Sequence, residues 1–99
     1  MSSTTWDSAL NFVDDKVQEL KHLGYGYLAK RPYRSELRES NEEVVFTLFA
    51  DPVSDTVIRA VVQAQSPPGR PNQTFTHGFD MHRDGHVSEL STAALRAFQ

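Results

Sequence analysis

The chain has 99 residues, of which 38% are hydrophobic and 23% are charged, and it contains no cysteine. This length suits one hydrophobic core, so residues 1–99 are predicted to form a single domain, and the apolar content exceeds that of disordered chains. The net charge of −3 disfavours binding to nucleic acid or anionic membranes, and the lack of cysteine excludes disulfides and thiolate chemistry.

The first predicted element is an amphipathic helix from about Thr5 to Leu23. Its apolar residues recur at alternating spacings of four and three, which places them on one helical stripe: Trp6, Leu10, Val13, Val17 and Leu20. Thr4 and Asp7 resemble a capping box at its start. Gly24 follows where a left-handed residue commonly ends a helix.

The next segment, Tyr25 to Tyr33, is predicted to be a strand because it is rich in aromatic residues. Pro32 cannot donate a hydrogen bond to a sheet, so it fits the edge or the end of that strand. In such a strand the side chains of Tyr25, Tyr27, Arg31 and Tyr33 would share one face.

Two further strands are predicted between residues 44 and 65. The first runs from Val44 to Ala50 and is apolar on both faces, which indicates a central position in the sheet. A turn at residues 51–55 leads to the second, from Thr56 to Gln65. Its apolar face comprises Ile58, Ala60, Val62 and Ala64. A helix starting at Asp51 is the alternative for this segment, although its many β-branched residues favour a strand.

The rest of the chain is predicted to form a loop, a hairpin and a short helix. Residues 66–72 are rich in proline, and residues 75–90 contain Asp84-Gly85, a dipeptide typical of hairpin turns. Ser91-Thr92 caps a helix whose shared face contains Ala94, Leu95 and Phe98. The predicted fold class is therefore α+β, with an N-terminal helix packed on an antiparallel sheet of four to five strands and a short C-terminal helix.

The histidine-rich hairpin is a candidate metal site, because imidazoles and carboxylates are ligands for zinc and other divalent metals. If residues 83–85 form the loop, His82 and His86 face each other with Cβ atoms ~4.5–5.5 Å apart, and Asp80 is the candidate third ligand. His77 would lie on the opposite strand face. The favoured interpretation is a solvated hairpin tip without a cofactor, and metal binding is the alternative.

Basic and aromatic residues interleave after residue 29 and form the candidate partner-binding surface. Residues 25–38 contain four bases and one acid, whereas residues 39–55 contain five acids and no base. The residues predicted to contact a partner are Lys30, Arg31, Tyr33, Arg34 and Arg38. Similar interleaving occurs in proteins that bind single-stranded nucleic acid. Charges that only protect a sheet edge from aggregation are the structural alternative.

No motif for a nucleophile, a catalytic metal or a phosphate-binding loop is present, so the chain is not predicted to be an enzyme. We predict a small non-catalytic interaction or regulatory module that binds a protein partner through a charged sheet surface. A homodimer is the alternative assembly. The alternative functions are small-ligand or divalent-metal binding at the His82/His86 hairpin and, less favoured, nucleic-acid binding through Lys30 to Arg34.

The expected location is the cytoplasm. The N-terminal residues lack the basic and apolar segments of a secretory signal. The longest apolar run, Val44 to Ala50, is far shorter than the ~20 residues of a membrane span. No membrane association is therefore predicted.

Overall fold

The computed structural model describes residues 2–40, 43–66 and 73–96, with the backbone alone for residues 2–5. Its elements in chain order are α1 (Ser2–Ala29), β1 (Arg34–Glu36), β2 (Val45–Ser54), β3 (Val57–Gln65), β4 (Thr74–His82), β5 (Val87–Glu89) and α2 (Thr92–Arg96). The strands lie side by side in chain order and each pair is antiparallel, so the sheet is a meander with β1 and β5 at its edges. The predicted α+β fold class is confirmed.

The apolar stripe of α1 packs on one face of the sheet, called here the inner face. Val13, Val17 and Leu20 are buried, Trp6 packs partly buried against the core, and Leu10 is half-buried. The sheet contributes alternate residues to this core: Phe46, Leu48, Ala50, Ile58, Ala60, Val62, Ala64, Phe79 and Met81. Burial of each large apolar side chain contributes about 1.5–3 kcal/mol. α1 lies chiefly over β3 and β4, so the inner face beside β1 has less helix over it.

α1 is longer than predicted and is bent at Gly24. The helix begins at Ser2, and Gly24 has φ 84° and ψ −175°, a conformation that is essentially restricted to glycine. Helical structure then resumes and continues to Ala29. The predicted strand from Tyr25 to Tyr33 is therefore wrong. Burial of Leu28 in the core, at 1% exposure, outweighs the aromatic composition that favoured a strand.

β2 extends past the turn predicted at residues 51–55, and the turn is formed by residues 55–56 instead. Pro52 has no N–H group, yet β2 tolerates it because its nitrogen faces the side of β1, and no residue of β1 pairs with Pro52. Ala50 identifies this side, because its N–H donates to the carbonyl of Tyr33 at 2.9 Å and residues two apart in a strand direct their N–H groups to the same side. β3 confirms the predicted strand and its apolar face, and β3 rather than β2 is the central strand.

The predicted hairpin and the C-terminal helix are also present. His82 N–H donates to the carbonyl of His86 at 2.8 Å, and Gly85 has φ 96°, as a three-residue hairpin loop requires. Ser91 Oγ accepts a hydrogen bond from Ala94 N–H at 3.2 Å, which caps α2. Phe98, Glu42 and all of the predicted loop except Ser66 lie outside the described residues. In the described part of the chain, no helix combines the length and the apolar character needed to cross a membrane.

Candidate partner-binding site

β1 ends the sheet, and one side of its backbone faces away from the other strands. Ala50 donates to the carbonyl of Tyr33, so Tyr33 and, two residues later, Ser35 bond to β2. Arg34 and Glu36 alternate with these two residues, so their N–H and C=O groups point outward, away from β2. Within the described residues, no strand pairs with that side of β1. The sheet therefore has an open edge with two outward donors and two outward acceptors.

The bend at Gly24 places Arg31 beside this edge. The helical segment ends with i to i−3 hydrogen bonds, from Lys30 N–H to the carbonyl of Tyr27 (3.2 Å) and from Arg31 N–H to that of Leu28 (3.1 Å). Arg31 Nη2 donates to Ser35 Oγ at 2.7 Å, and its guanidinium lies 5.8 Å from the centre of the Tyr27 ring. Its Nε is buried and has no hydrogen-bond partner among the described residues. Arg31 thus connects the end of α1 to β1.

A cleft of about 360 Å³ lies between α1 and the β1 edge. The helical side contributes Lys16, Tyr27 and Arg31, and the strand side contributes Glu36 and the residues that follow it. The full lining is Lys16, Tyr27, Arg31, Glu36, Leu37, Arg38 and Glu39. The cleft has three cationic side chains and one aromatic wall, and Glu39 is its acidic side chain, since the side chain of Glu36 lies on the outer face of the sheet.

Lys16 is held in the cleft by acidic neighbours. Its Nζ lies 2.8 Å from Glu19 Oε2 and 3.6 Å from Glu39 Oε1. Burial lowers the pKa of Lys16, but hydrogen bonding and charge interactions with the two glutamates outweigh burial, so the pKa is raised above 10.5. Lys16 therefore remains positively charged at neutral pH. The Arg31 and Arg38 guanidinium groups are also charged under these conditions.

The predicted contact residues lie in three different places. Arg31 and Arg38 line the cleft. Tyr33 and Arg34 instead contact Phe49, which is on the outer face of the sheet, with ring centres 6.0 Å apart for Tyr33 and with the Arg34 guanidinium 5.7 Å from the Phe49 ring centre. Lys30 is exposed at the end of the helical segment. The basic segment therefore surrounds the open edge rather than forming one flat surface.

The four side chains predicted to share one strand face do not do so. Tyr25 and Tyr27 belong to the helical segment of α1 and not to a strand, and Tyr25 Oη donates to the carbonyl of Asp55 at 3.2 Å. Tyr33 is 56% exposed and packs against Phe49. The prediction that Tyr25, Tyr27, Arg31 and Tyr33 share a strand face is wrong, because helical packing of residues 25–29 replaces the strand.

Sequence reasoning missed five residues of the cleft lining: Lys16, Tyr27, Glu36, Leu37 and Glu39. Lys16 borders the apolar stripe of α1, one residue before Val17, and it lies 5.5 Å from the centre of the Phe12 ring. Its place beside the stripe was a weak signal that it lies near the sheet. No local signal indicated that it meets residues that follow β1.

The hairpin brings His82 and His86 together, as their predicted loop requires. The two ring centres are 5.0 Å apart, and His82 Nε2 lies 3.0 Å from Ser88 Oγ. Asp80, the candidate third ligand, forms two hydrogen bonds with Arg59, at 2.9 and 3.1 Å. The carboxylate of Asp80 is thus engaged by a neighbouring strand.

The other histidine of the hairpin lies on the inner face. His77 Nδ1 is 3.0 Å from Asp14 Oδ1 of α1, which confirms that His77 points away from His82. Within residues 2–40, 43–66 and 73–96, no three histidine, aspartate or glutamate side chains are grouped so that they could hold a metal ion. The support for a metal site is therefore limited to one pair of imidazoles.

Comparison with protein-family models, with curated proteins and with solved structures finds no match to this chain.

Proposed function

We propose that the protein is a small non-catalytic interaction module that binds a protein partner through the basic surface around β1. The partner that suits this surface presents acidic side chains on an extended segment. One observation carries the proposal: the outward backbone groups of β1 and a cleft containing Lys16, Arg31 and Arg38 lie at the same edge of the sheet.

Two kinds of interaction support an extended acidic segment as the ligand. An open strand edge can accept an added strand through main-chain hydrogen bonds, a recurring mode of peptide recognition. Arginine side chains form charge-assisted hydrogen bonds with carboxylates and favour bidentate geometry. Positive charge around the edge would also accelerate the approach of an acidic partner, although the whole molecule is acidic.

The nucleic-acid alternative has weaker support. Binding of single strands combines a basic groove with aromatic side chains on which successive bases stack. In this protein Tyr27 lines the cleft, whereas Tyr33 packs against Phe49 on the outer face, so the two rings do not form a continuous stacking surface. The net charge of −3 also opposes the approach of a polyanion.

Fluorescence anisotropy with defined probes tests the proposal. The probes are extended peptides of about eight residues that alternate acidic with β-branched residues, matched peptides with basic residues, and a single-stranded oligonucleotide. We expect only the acidic peptide to bind saturably, and its affinity should fall as the salt concentration rises. The double variant Lys30→Glu/Arg38→Glu should lower the affinity several-fold, since both side chains are exposed beside the edge.

Arg83→Glu is the matched control, because Arg83 is exposed in the β4–β5 turn, at the opposite end of the strand order from β1. It reverses one charge away from the proposed surface, which is half of the charge change in the double variant. Equal loss of binding in the control and in the double variant would contradict the proposal. Tighter binding of the oligonucleotide than of the acidic peptide would favour the nucleic-acid alternative instead.

A further inference from the structure

The outward side of β1 is complementary to a second β1 strand. We infer that two copies of the chain pair along this edge in antiparallel orientation, centred on Ser35, and so join their sheets across a twofold axis. This inference rests on the proposed function in one respect, because both use the open edge of β1 as a binding surface. Here the strand that occupies the edge is β1 of a second copy of the chain.

The backbone hydrogen-bonding pattern suits this arrangement. A twofold axis at Ser35 places Arg34 opposite Glu36 of the second copy, and Glu36 opposite Arg34 of the second copy. Both residues direct their N–H and C=O groups outward, so each of the two pairs can exchange both backbone hydrogen bonds. Ser35 keeps its bonds to β2, and its hydroxyl keeps the bond from Arg31 Nη2.

Side-chain charge selects this register. Arg34 and Glu36 pair with Phe49 and Thr47 of β2, so both side chains lie on the outer face. Centred on Ser35, the pairing sets opposite charges directly across from each other twice. Shifting the centre to Arg34 or to Glu36 sets like charges across from each other, which is unfavourable. Of these three registers, only the one centred on Ser35 avoids like charges across the two strands.

Residues beside β1 limit the length of the contact between the two copies. Tyr33 would lie opposite Leu37 of the second copy, but its ring packs against Phe49 on the outer face whereas Leu37 packs against the core, so this pair adds no apolar contact. The Arg34 guanidinium lies 5.7 Å from the centre of the Phe49 ring of β2, so it turns toward the edge when it pairs with Glu36 of the second copy. Pro32 has no N–H group, so the added ladder remains short. Lys30 and Arg38 do not take part in the central pairs.

Sedimentation equilibrium of the purified full chain, from about 1 µM to about 1 mM, tests the inference. We expect the mass to rise with concentration from 11.2 kDa toward twice that value. Arg34→Glu and Glu36→Arg should each raise the dissociation constant about tenfold or more, because each turns both symmetry-related attractions into repulsions. The combined swap Arg34→Glu/Glu36→Arg should restore dimer formation, and Arg83→Glu should leave it unchanged.

Three outcomes would overturn the inference: a monomer throughout the concentration range, a dimer unaffected by the single reversals, or a combined swap that stays as weak as the single variants. Circular dichroism of each variant establishes that it is folded, and the restored dimer in the combined swap shows that the strand is intact. A second copy and the acidic peptide would compete for the same edge, but sedimentation and anisotropy measure the two binding events separately. A chain that remains monomeric yet binds the acidic peptide retains the proposed function, whereas a dimer that binds no peptide retains the inference alone.

Discussion

Gly78 lies in β4 directly opposite Val61 of β3, where the two strands leave no room for a side chain. A Cβ atom at this position would meet the carbonyl oxygen of Ala60 and would lie 2.9 Å from Cγ2 of Val61, closer than real Cβ atoms approach their neighbours. We expect Gly78→Ala to lower the free energy of unfolding by about 1–3 kcal/mol through overpacking. Urea denaturation measures the change.

Gly26→Ala is the matched control for that substitution. Gly26 is exposed in the helical segment of α1, and a Cβ atom there would have no heavy atom within 4 Å. Alanine favours a helix over glycine by roughly 0.5–1 kcal/mol, so this variant should be as stable as the original chain or slightly more stable. A Gly78→Ala variant as stable as Gly26→Ala would contradict close packing of β3 against β4 at this position.

At the scale of elements, the packing of α1 on the inner face holds the helix to the sheet. Val17 is fully buried in that layer. Val17→Ala should therefore lower the free energy of unfolding by about 1–4 kcal/mol, depending on how far the cavity collapses. The exposed neighbour Gln18 provides the control, because Gln18→Ala should change stability by less than about 0.5 kcal/mol. Thermal denaturation compares them, and a Val17→Ala change as small as that of Gln18→Ala would contradict this packing.

At the scale of the whole molecule, α1 and the sheet share one hydrophobic core, so we expect them to unfold together. Trp6 near the start of α1 packs against that core, so its fluorescence reports the helix–sheet contact. Its thermal transition should coincide with that of the far-ultraviolet circular dichroism signal. Two separated midpoints would mean that the N-terminal part of α1 unfolds independently, and would contradict a single cooperative domain.

The sequence by itself determined the elements whose apolar periodicity agrees with the final packing. The stripe containing Val13 and Val17 predicted the helix, and the alternation through Ile58 and Val62 predicted β3. Asp84-Gly85 predicted the hairpin, since Gly85 supplies the positive φ that its turn requires. In these elements local preference and burial favour the same structure, which is why local reasoning was sufficient.

Only the tertiary structure decided where the basic segment lies and what surrounds it. The aromatic residues after Gly24 favoured a strand from Tyr25 to Tyr33, but burial of Leu28 keeps residues 25–29 helical, and the first strand is the three-residue β1 that follows. The bend at Gly24 brings Arg31 to β1, and the packing of α1 on the sheet brings Lys16 to the cleft that Arg31 lines. Such contacts join residues far apart in the chain, so they depend on how the core closes and leave no periodic signal in the sequence.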